Sequence, residues 1–167
     1  MADRSRTETV TCPECHFSWD VGFARRQTNL GHEHLRDLEY FLNTSSPYEA
    51  TREPKSTQRR QSGAGVRPDL KLRLKSSCQP DFIFVERQEQ NTTGTGCEKV
   101  ANKIQKANVA LRDLNVRAYY IVIAGSRVDL LQRAAADAFE RNGAYHHERL
   151  VILHEDDFKQ RAGQGRL

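Results

Sequence analysis

Three carboxylates lie close together in the stretch RPDLKLRLKSSCQPDFIFVERQ, residues 67 to 88: those of Asp69, Asp81 and Glu86. Mg²⁺ binds oxygen ligands that converge on one point in a tight octahedron, and it keeps part of its water shell. These carboxylates can therefore form a magnesium site only if their side chains point to the same place. Their directions depend on the elements that carry them.

Two strands are predicted to carry these residues. Leucine alternates with charged residues over 69–75, which is the period of a strand, and 82–88 is β-rich and initially apolar on both faces. The turn-like SSCQP between them indicates a hairpin. Because Asp81 and Glu86 are five residues apart in one strand, they point to opposite faces of the sheet, which excludes Asp81 from the site unless a bulge intervenes.

Asp69 behaves differently, because hairpin pairing brings it across to the second strand. In one register Asp69 faces Glu86, and in the other it faces Gln88 while Lys71 faces Glu86. In both registers Asp69, Lys71, Glu86 and Gln88 share one face of the hairpin. The sequence therefore predicts that the first Asp, and not the second, joins Glu86.

The order of these residues resembles a known family. Pro68-Asp69, a spacer and then Glu86-Arg87-Gln88 after an apolar strand look like the motif of the PD-(D/E)XK nuclease superfamily, which has the restriction-endonuclease-like fold. The Gly/Thr loop, helix and buried strand that follow are also similar to the core of that family. The resemblance covers about residues 31 to 153.

The resemblance implies a phosphodiesterase in which Asp69 and Glu86 hold Mg²⁺, with the carbonyl of Arg87 as a further ligand. It implies a type II restriction endonuclease that cuts double-stranded DNA, and the symmetry of such targets implies a homodimer. The sequence departs from the family pattern at Gln88, where lysine is usual. Glutamine can orient a water but supplies no positive charge, so Lys71 is the candidate for a displaced cation.

Two alternatives remain open. Gln88 favours a nucleic-acid-binding module that keeps the fold but has lost catalysis. Within the enzyme class, a DNA repair or junction nuclease is also compatible with the motif. The absence of GxGxxG and GxxxxGK[ST] patterns argues against a nucleotide cofactor.

Basic residues are concentrated in one part of the chain. Residues 52–75 carry eight Lys or Arg against two acids, which indicates a polyanionic partner such as nucleic acid. Three lysines also recur at helical spacing after the hairpin and are placed to meet phosphates. The candidate nucleic-acid contacts are Arg59, Arg60, Arg67, Lys99, Lys103 and Lys106.

Other candidate ligands lie nearer the N-terminus. Glu39 flanks the apolar face of the first predicted helix and is a possible additional acid at the metal site. Cys12 and Cys15 have the spacing of a zinc knuckle, with histidines nearby, but a second pair at comparable spacing is absent. A zinc ion is therefore the less favoured interpretation, and reduced thiols are expected.

The order helix, antiparallel hairpin, helix, strand, helix, strand predicts an α/β fold with a mixed sheet, as the restriction-endonuclease-like resemblance also implies. We expect an N-terminal segment at 1–30, a nuclease-like domain at 31–158 with a helix at 31–43 and a basic loop at 44–67, and a basic tail at 159–167. No apolar run approaches the roughly 20 residues of a membrane span, and no signal-peptide core is present. A cytoplasmic protein without membrane association is expected.

Overall fold

The computed structural model describes residues 9–11, 18–52, 67–77, 81–91, 96–114, 116–140 and 147–167. The candidate ligands Cys12 and Cys15 and the candidate DNA contacts Arg59 and Arg60 lie outside these residues. The chain divides into two compact units, Met1–Asp37 and Leu38–Leu167. In the first unit, β1 (Thr9–Thr11) and β2 (Ser18–Asp20) form an antiparallel pair. Helix α1 (Val21–Ser45) begins in the first unit and ends in the second.

The second unit is built on one five-stranded mixed sheet with strand order β3-β4-β5-β6-β7. The first three strands are antiparallel neighbours and the last three are parallel. The strands are β3 (Tyr48–Thr51), β4 (Leu70–Leu74), β5 (Phe82–Glu89), β6 (Val116–Ala124) and β7 (Leu150–His154). The remaining helices are α2 (Gly96–Asp113), α3 (Val128–Glu140) and α4 (Glu155–Gly163). The predicted α/β class with a mixed sheet is confirmed.

Helices cover both faces of the parallel half of the sheet. On one face, Phe84 of β5 and Tyr119 of β6 pack with the apolar stripe of α2, which recurs at helical spacing through Val100, Ile104 and Ala107. On the other face, Tyr120 of β6 packs edge-on against Phe158 of α4, with ring centroids 5.5 Å apart. The alternation of Tyr119 and Tyr120 follows from the two-residue period of a strand. The core therefore lies on both sides of β5 and β6.

Three elements differ from the prediction. The helix predicted at 31–43 extends from Val21 to Ser45. The segment 44–67 contains strand β3, in which only Tyr48 and Ala50 are buried, so its pattern is too short to be recognised from the sequence alone. The segment predicted as a tail begins inside α4, whose start is stabilised by three acidic residues in the first turn.

Candidate active site

The pairing of β4 with β5 places Asp69 opposite Glu86. Leu70 pairs with Val85 and Lys71 with Phe84, so the next pair outward is Asp69 with Glu86. The first of the two predicted registers is therefore confirmed. In addition, the backbone N–H of Arg87 donates a hydrogen bond of 2.8 Å to Asp69 Oδ2. This bond fixes the Asp69 carboxylate beside the end of β5 that carries Glu86.

Glu86 is buried, with only 2% of its surface exposed, and its carboxylate is surrounded by hydrogen-bond donors. Tyr119 of β6 donates its hydroxyl at 2.9 Å, and the ammonium groups of Lys103 and Lys106 both form ion pairs with Glu86. Burial by itself raises the pKa of Glu86, but the attraction and hydrogen bonds of the two lysines outweigh it and the pKa lies below its ordinary value. Glu86 is therefore an ionised carboxylate inside the protein.

The two lysines reach Glu86 because α2 packs along this face of the sheet. Residues three apart lie on neighbouring parts of a helix surface, so Lys103 and Lys106 point the same way beside the apolar stripe. Lys103 Nζ lies 3.7 Å from Asp69 Oδ2 while it contacts Glu86. Lys106 also donates to the carbonyl of Arg67. These lysines, predicted as phosphate contacts, thus lie against the carboxylates, whereas Lys99 is exposed.

Tyr119 holds Glu86 from the neighbouring strand. Burial and the nearby negative charge of Glu86 raise the pKa of the Tyr119 phenol far above its ordinary value, so the hydroxyl stays protonated and donates. The ring of Tyr119 packs edge-on against Phe84, with centroids 6.0 Å apart. Tyr119 could not be identified from the sequence, because the alternation within a buried strand does not indicate which aromatic residue makes a polar contact.

The other predicted site residues have different partners. Gln88 is buried, and its side-chain amide donates to the carbonyl of Glu89 at 3.2 Å. Lys71 places its ammonium 3.8 Å from the centre of the Phe82 ring. The ion pairs that Glu86 forms come from Lys103 and Lys106 of α2. Glu39 forms an ion pair of 2.6 Å with Arg52.

The donor set can be compared with what Mg²⁺ requires. Within the described residues, no group of three or more His, Cys, Asp or Glu side chains could hold a metal ion. The carboxylate oxygens that lie together are those of Asp69 and Glu86, and the backbone N–H of Arg87 holds Asp69 in place. This small set suits an ion that keeps several waters. The ammonium of Lys103 lies within 4 Å of both carboxylates, so the two side chains converge on one cation, and their oxygens are of the kind that Mg²⁺ binds.

A second ion cluster fixes Arg87 from the opposite face of the sheet. Its guanidinium pairs with Glu89 at 2.6 Å and with Glu155 of α4 at 2.7 Å. Glu155 also pairs with Lys159 at 2.6 Å. Burial by itself raises the pKa of Glu155, but its hydrogen bonds to Lys159 and Arg87 lower it below the ordinary value. Arg87 therefore makes two contacts: its side chain binds α4, and its backbone N–H holds Asp69.

Beside this cluster, the chain makes a tight turn directly after β6, and this turn packs against the residue that follows β5. Gly125 follows β6 with φ of 98°, and a Cβ at this position would lie 2.4 Å from the carbonyl oxygen of Gln90. The N–H of Arg127 donates to that same oxygen at 2.9 Å. The turn therefore requires glycine, both for its backbone conformation and for the close approach.

No protein-family model, curated protein or solved structure matches this chain. Each helix in the described part of the chain is too short or too polar to span a lipid bilayer.

Proposed function

We propose that this protein is a Mg²⁺-dependent DNA endonuclease with the restriction-endonuclease-like fold. The observation that carries the proposal is the convergence of Asp69 and Glu86 on one cation, the ammonium of Lys103. Asp69 lies immediately before β4 and Glu86 lies on the neighbouring strand, which is the arrangement that the resemblance to the PD-(D/E)XK superfamily implies. The basic segment 52–75 supports a polyanionic substrate.

In this proposal Asp69, Glu86 and the Arg87 carbonyl hold Mg²⁺. The bound ion would polarise the scissile phosphate and lower the pKa of an attacking water. Tyr119 keeps Glu86 oriented through its 2.9 Å hydrogen bond, and the Arg87 N–H orients Asp69. Two carboxylates that are fixed before the substrate arrives need no reorganisation during the reaction.

Lys103 and Lys106 supply the positive charge that Gln88 does not. A charge held beside the reacting phosphate in a water-poor site stabilises the negative charge that develops in the transition state. Both ammonium groups already lie at the carboxylate of Glu86, whereas Lys71 lies over Phe82. The lysines of α2 therefore take the role that the sequence assigns to Lys71.

The substrate and assembly belong to the same proposal. We assign double-stranded DNA as the substrate and type II restriction as the activity, with a homodimer matching the two-fold symmetry of its target. The protein would act in the cytoplasm, where restriction meets incoming DNA. A zinc ion at Cys12 and Cys15 is a separate and less favoured expectation, which metal analysis of the purified protein tests directly.

A second candidate function is a DNA-binding module of the same fold without catalysis. The observation that favours it is the ion pairing of Glu86, since both lysines already neutralise the carboxylate that a metal would need. A repair or junction nuclease is a third candidate, which differs from the first only in its substrate.

Incubation with plasmid DNA and Mg²⁺, beside the near-isosteric Glu86→Gln variant, tests the proposal. The wild type is expected to give discrete fragments, and Glu86→Gln is expected to bind DNA without cutting it. If both proteins bind DNA without cleaving it, the nuclease proposal is refuted and the DNA-binding module is favoured. Nicks that depend on DNA structure, rather than discrete fragments, would indicate a repair or junction nuclease.

A further inference from the structure

The two carboxylate oxygens of Glu86 have different partners. Oε1 accepts hydrogen bonds from the hydroxyl of Tyr119 and the ammonium of Lys106, and Lys106 also donates to the carbonyl of Arg67. Oε2 accepts from the ammonium of Lys103. The carboxylate is therefore held at Oε1 by two donors that do not depend on Lys103. An exchange of cations at Oε2 would leave this orientation in place.

Lys103 lies in the position that a cation shared by the two carboxylates would take. Its Nζ forms an ion pair with Glu86 and lies 3.7 Å from Asp69 Oδ2. The second distance is longer than a hydrogen bond, so Lys103 is attracted to Asp69 by charge alone. Asp69 Oδ2 accepts a hydrogen bond from the backbone N–H of Arg87. Each carboxylate therefore has a donor other than Lys103 that keeps it in place.

The side-chain exposures show how a dissolved ion reaches this position. The side chain of Asp69 is 36% exposed, that of Lys103 is 16% exposed and that of Glu86 is 3% exposed. A dissolved ion therefore meets Asp69 first. Two cations held at this range repel each other, so a divalent ion and the ammonium do not share the carboxylate pair. An ion that binds both carboxylates takes the place of Lys103.

We propose that Lys103 is an exchangeable counter-ion, whose ammonium neutralises the carboxylate pair until a divalent ion binds and then leaves Glu86 Oε2. The inference rests on the proposed function in taking Asp69 and Glu86 as metal ligands. The flexible four-carbon stem of lysine allows the ammonium to move, while Lys106 stays at Oε1. The displaced ammonium of Lys103 is then available to a phosphate. Metal binding is thereby weakened in the free protein.

The first experiment titrates the protein with Mn²⁺ in the absence of DNA and follows the free ion by electron paramagnetic resonance. Mn²⁺ prefers oxygen ligands, as Mg²⁺ does. Lys103→Met keeps most of the stem but removes the charge, so we expect it to bind Mn²⁺ at least about tenfold more tightly than the wild type. Lys103→Arg retains the charge and is expected to retain the weaker affinity. Lys99→Met removes an exposed lysine of the same helix and is expected to bind Mn²⁺ as the wild type does.

Three results of this titration would overturn the proposal. The first is an affinity of Lys103→Met that is equal to or lower than that of the wild type. The second is an equal gain in Lys99→Met, which would indicate a general effect of net charge. The third is the absence of Mn²⁺ binding in both the wild type and Lys103→Met. Thermal melting of every variant establishes that the fold is retained.

The second experiment uses the wild-type protein, so it does not depend on the folding of a variant. An amine-reactive ester is added with and without Mg²⁺, and mass spectrometry of peptides gives the rate of modification at each lysine. We expect Mg²⁺ to accelerate modification of Lys103 severalfold, because its ammonium leaves the carboxylates. The rates at Lys106 and at the exposed Lys99 are expected to stay constant. Equal rates at Lys103 with and without Mg²⁺ would overturn the proposal.

Neither experiment depends on cleavage, so this inference and the nuclease proposal can fail separately. Tighter Mn²⁺ binding by Lys103→Met, combined with a wild type that does not cut DNA, would support the exchange and refute the nuclease. Cleavage by the wild type, combined with an unchanged Mn²⁺ affinity in Lys103→Met, would support the nuclease and refute the exchange.

Discussion

The ammonium of Lys103 lies 3.7 Å from Asp69 Oδ2 while it forms an ion pair with Glu86. A helix therefore delivers a cation to two carboxylates that come from neighbouring strands. In the motif itself, the position where a lysine is usual holds Gln88, whose amide donates to a backbone carbonyl instead. The positive charge beside the two carboxylates therefore comes from α2, the element that follows β5 in the chain.

Lys103→Met tests this assignment. If the ammonium stabilises charge that develops during cleavage, the variant should lose about 10²- to 10³-fold in kcat, while DNA affinity falls much less. Lys71→Met should show the opposite pattern, with weaker binding and little change in kcat. Single-turnover cleavage and metal-free binding give the two quantities. Equal losses of kcat and affinity in Lys103→Met would make this lysine a simple phosphate contact.

Tyr119→Phe removes one donor from the buried carboxylate of Glu86. A hydrogen bond to a charged group contributes about 1.5–3 kcal/mol, so we expect the free energy of unfolding to fall by roughly that amount. Cleavage should also slow, because Glu86 is less firmly oriented. Tyr120→Phe is the matched control, since the adjacent ring faces α4 and packs against Phe158. Unchanged unfolding and cleavage in Tyr119→Phe would show that the lysines alone fix Glu86.

Gly125→Ala should destabilise the protein by at least about 2 kcal/mol, because left-handed backbone is strained for alanine. The added Cβ would also press on the carbonyl oxygen of Gln90. Urea unfolding gives the change in free energy. Gly31→Ala is the contrast, since a Cβ at this helical glycine meets no atom within 4 Å among the described residues. It is expected to stabilise α1 by about 0.5–1 kcal/mol. A Gly125→Ala variant as stable as the wild type would contradict the strained turn.

Glu155→Gln tests the ion cluster that anchors Arg87. The folded pKa of Glu155 lies below its ordinary value of 4.5, so the folded state favours the ionised form. The stabilisation from Glu155 is therefore complete above about pH 4.5 and is lost as the pH falls through the lower, folded pKa. At neutral pH we expect Glu155→Gln to cost roughly 2 kcal/mol, from lost hydrogen bonds to charged groups.

The difference in unfolding free energy between wild type and Glu155→Gln should shrink steadily on acidification below that range. Urea unfolding at a series of pH values measures it. Asp156→Asn, at the exposed neighbouring position, is the control for a general effect of removing an acid from the first turn of α4. A difference that stays constant down to the most acidic pH would show that Glu155 does not titrate with folding.

Local periodicity was sufficient to predict the hairpin and which of its residues face each other across the two strands. Strand parity separated Asp81 from Glu86, and the observed pairing of Leu70 with Val85 extends to the predicted pair of Asp69 and Glu86. The apolar stripe of α2 was predicted equally well from its helical spacing. These features depend on residues that are near in sequence, where the two-residue and 3.6-residue periods act directly.

Features that depend on how elements pack were not predictable. The helical period places Lys103 and Lys106 on one side of α2, but it does not say that this side turns toward the sheet. The pairing of Arg87 with Glu155 joins residues far apart in sequence. The residues around each of them give no indication of the other partner. Strand β3 was missed because it has only four residues.

The pairing of Thr51 with Lys71 has a consequence for how this protein can diverge. It joins the two ends of the connection between β3 and β4 by ordinary sheet hydrogen bonds. Doubling the length of such a connection adds only about 0.6 kcal/mol to the cost of closing it. A longer or different connection between these strands would therefore leave the pair of Asp69 and Glu86 in register.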